Sequence, residues 1–314
     1  MMRSPLAGAG LLRAAVLGLA VLAMTPAAWS QTAGLPSELI SAKTALTDAQ
    51  KATLAKFVEK TASAVSTGQP AEVVFTRNEV VNLCKNKMVS EIFRRELSVG
   101  LVKAFQPLVK GTETFRATNA FIIAGFLRTP EALEFLVDNL DPESQPDAGL
   151  RMVAAAQLPG AAPDSNLSPP QIDAVSKRLA GFAKSETNWM AIASEVTTIG
   201  EMLRTKMPAA QAISVAEAQA SIINSLTERL ATGKSPELCQ ALQRSLLEVR
   251  DQASSIPAAV QGKLLQSIQP SLETITKMGS DQPDWAKNSP ALQTSFDSVK
   301  NTTKVLQRLG AGNV

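Results

Sequence analysis

The sequence predicts an all-α protein. Apolar residues recur at steps of three and four along nearly every segment after residue 30, and no segment sustains an alternation of apolar and polar residues. Residues that favour the start of a helix, such as Ser, Thr and Pro, stand immediately before several of these segments. The 2 cysteines are too few to build a disulfide-held fold, so stability must come from a buried core.

The sequence of the first half of the chain predicts six helices after residue 30. One runs from Thr47 and Asp48 to near Gly68, and three more are expected at about 112–127, 130–140 and 146–158. The two helices between these groups carry apolar stripes that are predicted to be buried. These stripes are Val80, Cys84 and Met88 after Pro70, and Phe93, Leu97, Leu101 and Phe105 after Ser90.

The interval 159–170 is the most irregular internal stretch. Pro163, Pro169 and Pro170 lack backbone donors, and Ser168 can cap the helix that follows. The interval is either a long loop between repeats or the boundary between residues 31–160 and 161–314. Longer helices follow it, with a polar loop around Trp285 before the last one. Their stripes begin with Trp189, Ile192 and Val196, with Ile222 and Leu226, with Leu238 and Leu242, with Leu264 and Ile268, and with Leu292 and Phe296.

The stretch from Phe115 to Gly160 resembles a HEAT repeat. Phe115-Arg116 recurs as Leu150-Arg151, 35 residues later, and a Pro-Glu-Ala-Leu turn occupies 130–133, where that family starts its second helix. The resemblance implies a HEAT-like α-α superhelix, or solenoid, of antiparallel helix pairs that acts as a binding scaffold. After residue 161 the periods repeat less cleanly, and a helical bundle fits nearly as well.

Residues 1–30 are expected to be a cleaved signal peptide. Arg3 and Arg13 precede an apolar core at 14–24, and Ala28 and Ser30 provide the small residues of a cleavage site. Cleavage after Ser30 predicts a secreted protein, periplasmic or extracellular, with no transmembrane segment in the mature chain.

Composition excludes several classes of function. The chain has no His and no Tyr, which excludes imidazole-based catalysis and His-ligated metal or haem sites. Loss of Arg3 and Arg13 with the leader lowers the formal net charge from +3 to +1, so a nucleic-acid partner is not expected. No motif implies a cofactor.

Candidate binding residues are Arg116, Asn119 and Arg151, on the helices that resemble HEAT repeats. In one interpretation the two arginines project into a concave groove and hold an acidic partner. In the other, each pairs with a carboxylate such as Asp141 or Asp147 and fixes the stacking of repeats.

Two runs of opposite charge suggest further sites. The run 129–150 contains Glu131, Glu134, Asp138, Asp141, Glu143 and Asp147 without Lys or Arg, and Asp138, Asp141 and Glu143 are weak candidates for calcium ligands. The run 77–110 is basic, with Arg77, Lys85, Lys87, Arg94, Arg95, Lys103 and Lys110 against Glu79, Glu91 and Glu96. The two runs could meet between copies, or each could be a solvated helix face.

Three functions therefore stay open. The first is an exported, non-enzymatic helical-repeat scaffold that binds a protein or peptide on its concave face, and the second is a self-associating structural component of the cell envelope. The third is an enzyme that uses carboxylate or Ser-Lys chemistry. In a stack of helices about 9 Å apart, Cys84 and Cys239 would lie roughly 30–40 Å apart. They are therefore predicted not to form a disulfide.

Overall fold

Residues 34–311 are described by a computed structural model, and all of their regular secondary structure is α-helical. The helices are α1 (Ser37–Ile40), α2 (Asp48–Thr67), α3 (Pro70–Lys85), α4 (Glu91–Val109), α5 (Thr114–Leu127), α6 (Pro130–Asp138), α7 (Ala148–Ala161), α8 (Pro169–Ser185), α9 (Trp189–Leu203), α10 (Ala209–Ala231), α11 (Leu238–Gln252), α12 (Ala258–Ser280), α13 (Asp284–Lys287) and α14 (Pro290–Gly310). The all-α fold class is confirmed. The predicted signal peptide lies outside the described residues.

Local capping explains the helix starts. Thr47 and Gln50 form a capping box in which each side chain pairs with the backbone N–H of the other residue. The Ser90 hydroxyl accepts the N–H of Phe93, and Thr129 accepts that of Ala132. These side chains satisfy backbone donors that have no partner within the helix, so the predicted starts of α2, α4 and α6 are confirmed.

The irregular interval is shorter than the sequence predicts. Pro159 lies inside α7, which continues to Ala161, and α8 begins at Pro169 with Ser168 as its cap. A proline near the end of a helix removes only one backbone hydrogen bond, so packing can retain it. The connection therefore spans 162–168.

The helices pack in two rows. Row A contains α2, α4, α6, α8, α10 and α12, and row B contains α3, α5, α7, α9, α11 and α14. The principal contacts join each helix to its neighbours in its own row and to adjacent helices of the other row, on both sides of residue 161. This packing between chain neighbours is compatible with a helical-repeat fold.

Hydrogen bonds show that the helices of a row run parallel. Arg94, at the start of α4, donates to Cys84 O (2.8 Å) at the end of α3 and to Phe126 O (3.2 Å) at the end of α5. Arg229 donates to Glu186 O (2.8 Å), which places the end of α10 beside the end of α8. Equivalent ends of alternate helices therefore meet at one edge of the array.

The core lies between the rows, and two predictions about it are wrong. Met88, which was predicted to be buried, is 68% exposed. Helix α3 ends before Asn86, so Met88 does not continue the buried side of that helix. Trp285 is not in an irregular polar loop. It belongs to the short helix α13 and packs edge to face on Phe296, with ring centroids 5.3 Å apart.

None of the helices in the described part of the chain has the length and apolar content needed to cross a membrane.

Candidate functional site

Row B presents an uncharged surface to solvent across three adjacent helices. This surface, called the uncharged face below, consists of Phe115, Thr118, Ile122 and Phe126 on α5, Met152, Val153, Ala156 and Gln157 on α7, and Met190, Ser194 and Thr197 on α9. Phe115 is 43% exposed. From Ala117 to Leu127, the α5 residues that do not belong to this face are buried. An apolar surface left open to water is typical of an interaction site.

Glycines bring the row B helices close together beside this face. A Cβ added at Gly125 of α5 would lie 2.7 Å from the Cβ of Gln157 on α7. One added at Gly200 of α9 would lie 2.5 Å from the carboxylate of Glu248 on α11. Non-bonded atoms do not pack at such distances, so the glycines permit an approach that larger residues would prevent.

Charged side chains border the uncharged face at both edges. On one side the Lys85 Nζ lies 5.0 Å from the centroid of the Phe126 ring, a cation–π contact. On the other, Arg204 pairs with Glu201 (2.8 Å) and Glu248 (2.7 Å). A partner would therefore meet a positive charge at one edge and a paired network at the other.

Arg116 is directed at the end of a neighbouring helix rather than at this face. Its guanidinium donates to Val65 O (2.9 Å) and Gly68 O (3.1 Å) at the carboxyl end of α2. Those carbonyls have no partner within their helix and carry partial negative charge. Arg116 thus ties α5 to α2.

Arg151 is buried in an ion pair. Its side chain is 8% exposed and pairs with Glu186 at 2.6 Å, while its remaining donors reach Gln145 O and Pro146 O. The partner is Glu186 and not Asp141 or Asp147, because α7 packs against the loop between α8 and α9. These contacts match the interpretation in which the arginine fixes the stacking of helices.

A second buried carboxylate lies close to this pair. Glu195 on α9 is 1% exposed, and its Oε2 has no hydrogen-bond partner. Burial, together with the charge of Glu186, raises the pKa of Glu195 well above its ordinary value, and Arg151 offsets only part of this. Burial also acts to raise the pKa of Glu186, but hydrogen bonds from Arg151, Asn188 and Thr187 bring it below its ordinary value.

Carboxylates whose pKa values diverge are a pattern of acid–base catalysis. Here Glu186 and Glu195 are shielded from solvent, with exposed fractions of 2% and 1%, so a substrate does not reach them. Glu201, on the same helix as Glu195, pairs with Arg204.

Asn119 is buried and links α5 to its neighbour in row B. Its Oδ1 accepts a hydrogen bond from Arg77 of α3 (3.1 Å), and its amide donates to Phe115 O (2.7 Å). Its side-chain oxygen and nitrogen therefore form hydrogen bonds inside the protein, next to the uncharged face.

The acidic run forms ion pairs within the chain, one of them with the basic run and the others with α8. Arg95 meets Glu131 at 2.9 Å, and Arg178, from α8, meets Glu134 at 2.7 Å as well as Asp138. Among the described residues no three acidic or thiol side chains gather as a metal site would require. Of the calcium candidates, Asp138 faces Arg178, and Asp141 accepts the backbone N–H of Glu143 within its own turn.

Cys84 and Cys239 are buried, free thiols on α3 and α11. Their helices are four steps apart in row B. Burial raises the pKa of Cys84 to about 11, although Arg94 and Arg128 lower it somewhat, and raises that of Cys239 to about 12. Neither thiol is poised to react.

Sequence reasoning missed Glu186 and the uncharged face. The face had a visible signal, since Thr118, Ile122 and Phe126 recur at steps of four. However, α5 carries apolar residues on all sides, and periodicity does not show which side meets water.

No protein-family model and no curated protein matches this chain.

Proposed function

We propose that this protein is an exported, non-enzymatic scaffold that binds an apolar segment of a partner protein on the uncharged face. One observation carries the proposal: three adjacent helices expose uncharged and mostly apolar side chains at helical spacing. The lining favours a partner that contributes an amphipathic helix, because such a helix presents apolar residues at the same steps of three and four.

We further infer that the two rows form a HEAT-like superhelix with the uncharged face on its concave side. The pattern of neighbour contacts supports a repeat architecture. The inferred curvature would shelter the half-buried residues of α5, α7 and α9.

Export is inferred from the pattern of residues 1–30. The expected mature protein starts at Gln31. Intact mass spectrometry of the exported protein tests this, and a mass that retains residues 1–30 would contradict it.

Site-specific photo-cross-linking in the native host tests the binding site. A benzoylphenylalanine at Phe115 or at Met190 replaces an exposed apolar side chain at either end of the face. Both positions should cross-link to the same partner, since they border one continuous surface.

Val99 provides the matched control, because it is an exposed apolar residue on α4 of row A. The same probe at Val99 should give no such product. Cross-linking of one partner with equal yield from all three positions, or no cross-link from Phe115 and Met190, would contradict the proposed site.

A further inference from the structure

The first end of the helix array is an open groove. Helices α2 and α3 border a cleft of about 650 Å³, whose lining includes Lys60, Phe75 and Glu79. The cleft lies on the side of α3 turned away from α5, which α3 meets through Arg77 and Asn119. Phe75 is 63% exposed there, so an aromatic side chain stands in water at the point where another helix layer would stack.

The last end is also a groove. Helices α12 and α14 border two adjoining clefts of about 670 and 510 Å³, which share Gln307. They lie on the side of α12 turned away from α10, since Ser271 of α12 donates to Asn224 of α10 at 2.6 Å on the opposite side. Each end of the array thus exposes one helix of row A and one of row B.

The two ends carry opposite charges in each row. In row A, Lys60 lies just past the middle of α2, and Glu273 lies just past the middle of α12. Both are exposed, and neither forms an ion pair within the described residues. In row B, Glu79 and Lys300 lie near the middle of α3 and of α14, where both are half-buried and Lys300 also pairs with Asp297 of its own helix (2.7 Å).

We propose that copies of this protein associate head to tail, the first end of one copy stacked on the last end of the next, so that both rows continue across the junction. Because the helices of each row are parallel, residues at equal height meet. Lys60 then faces Glu273 of the next copy, and Glu79 faces Lys300. Phe75 enters the cleft between α12 and α14.

This arrangement uses two different surfaces of each copy. Such an interface leaves a free end on both sides, so association proceeds beyond dimers to open chains or closes into a ring. Lys60 and Glu273 are exposed, so salt weakens their attraction, with a screening length of about 8 Å at physiological ionic strength. The uncharged face stays open, so this association is independent of the proposed partner.

Sedimentation velocity of the purified exported protein over a range of concentrations tests the proposal. The wild-type protein should form species larger than dimers at low salt, and these should diminish as salt rises. Lys60→Glu and Glu273→Lys should each weaken association by about tenfold, because attraction becomes repulsion. The double variant should restore it.

Two controls separate the end faces from general effects of charge and hydrophobicity. Lys103→Glu reverses an exposed charge on α4, and Val99→Ser removes an exposed apolar side chain from the same helix; both should associate like wild type. Phe75→Ser should weaken association. A wild-type protein that stays monomeric at every concentration, or a double variant no better than the single ones, would overturn the proposal.

Discussion

At the scale of single residues, arginine side chains bind the ends of neighbouring helices to one another. Arg116 binds the carbonyls at the end of α2, Arg229 binds those at the end of α8, and Arg94 joins the ends of α3 and α5. Each guanidinium supplies several donors in one plane, and so it satisfies carbonyls that a helix leaves without partners. These contacts fix neighbouring helices at equal height.

Removing Arg151 should be the most costly of the arginine substitutions. Arg151→Met leaves Glu186 charged and buried, so the free energy of unfolding should fall by about 3–5 kcal/mol. Arg178→Met breaks half-exposed ion pairs and serves as the control, with an expected loss of at most about 1 kcal/mol. Urea denaturation measures both. Equal losses for the two variants would show that the buried Arg151–Glu186 pair contributes no more to the free energy of unfolding than the half-exposed pairs of Arg178.

Glu195 should make the protein less stable as pH rises. Its folded pKa is raised, so above about pH 4.5 the unfolded chain releases this proton while the folded protein keeps it. Stability is then lost with rising pH until the folded pKa is passed. In Glu195→Gln this loss should disappear, and stability at pH 8 should exceed that of wild type. Denaturation midpoints between pH 5 and pH 9 test this; parallel curves for the two proteins would refute it.

At the scale of helices, glycine residues allow neighbouring helices to pack at short distances. Gly125 lets α5 approach α7, and Gly200 lets α9 approach α11, both beside the uncharged face. Prolines at 107, 159 and 270 are tolerated within α4, α7 and α12. Packing between helices therefore outweighs the local preferences of individual residues.

Alanine should have opposite effects at two helical glycines. Gly125→Ala places a Cβ against Gln157 Cβ and should destabilise by about 1–3 kcal/mol, since the helices must separate. Gly181→Ala in α8 meets no atom within 4 Å and should stabilise by roughly 0.5–1 kcal/mol, because alanine favours the helix. Thermal unfolding of both variants is the measurement. A stabilised Gly125→Ala would mean that α5 and α7 do not require this close contact.

At the scale of the whole molecule, each helix within residues 34–311 contacts chiefly helices that are close to it in the sequence, a packing that is compatible with a helical-repeat fold. Cys84 and Cys239 illustrate this, since they lie on the first and fifth helices of row B. Both are free thiols, and in a repeat stack with about 9 Å per step they would be farther apart than a disulfide can span.

Both thiols should therefore be free and protected. Unreduced protein denatured in guanidinium should give two thiols by titration, whereas the native protein should react slowly, because both sulfurs are buried and their pKa values lie near 11 and 12. Rapid labelling of the native protein would show that α3 or α11 opens readily. A titration that returns no thiols would contradict the inferred superhelix.

The sequence by itself determined the fold class, most helix starts and the buried stripes such as Phe93, Leu97 and Leu101, because capping and periodicity act within a few residues of each other. Only the tertiary structure decided that Arg151 pairs with Glu186, that Met88 is exposed and that α5 turns its Ile122 side to solvent. Those outcomes depend on which helices become neighbours, and the partners lie tens of residues away. The α5 sequence is apolar on every side, so the position of α3 and α7 around it, rather than its own periodicity, selects the surface that meets water.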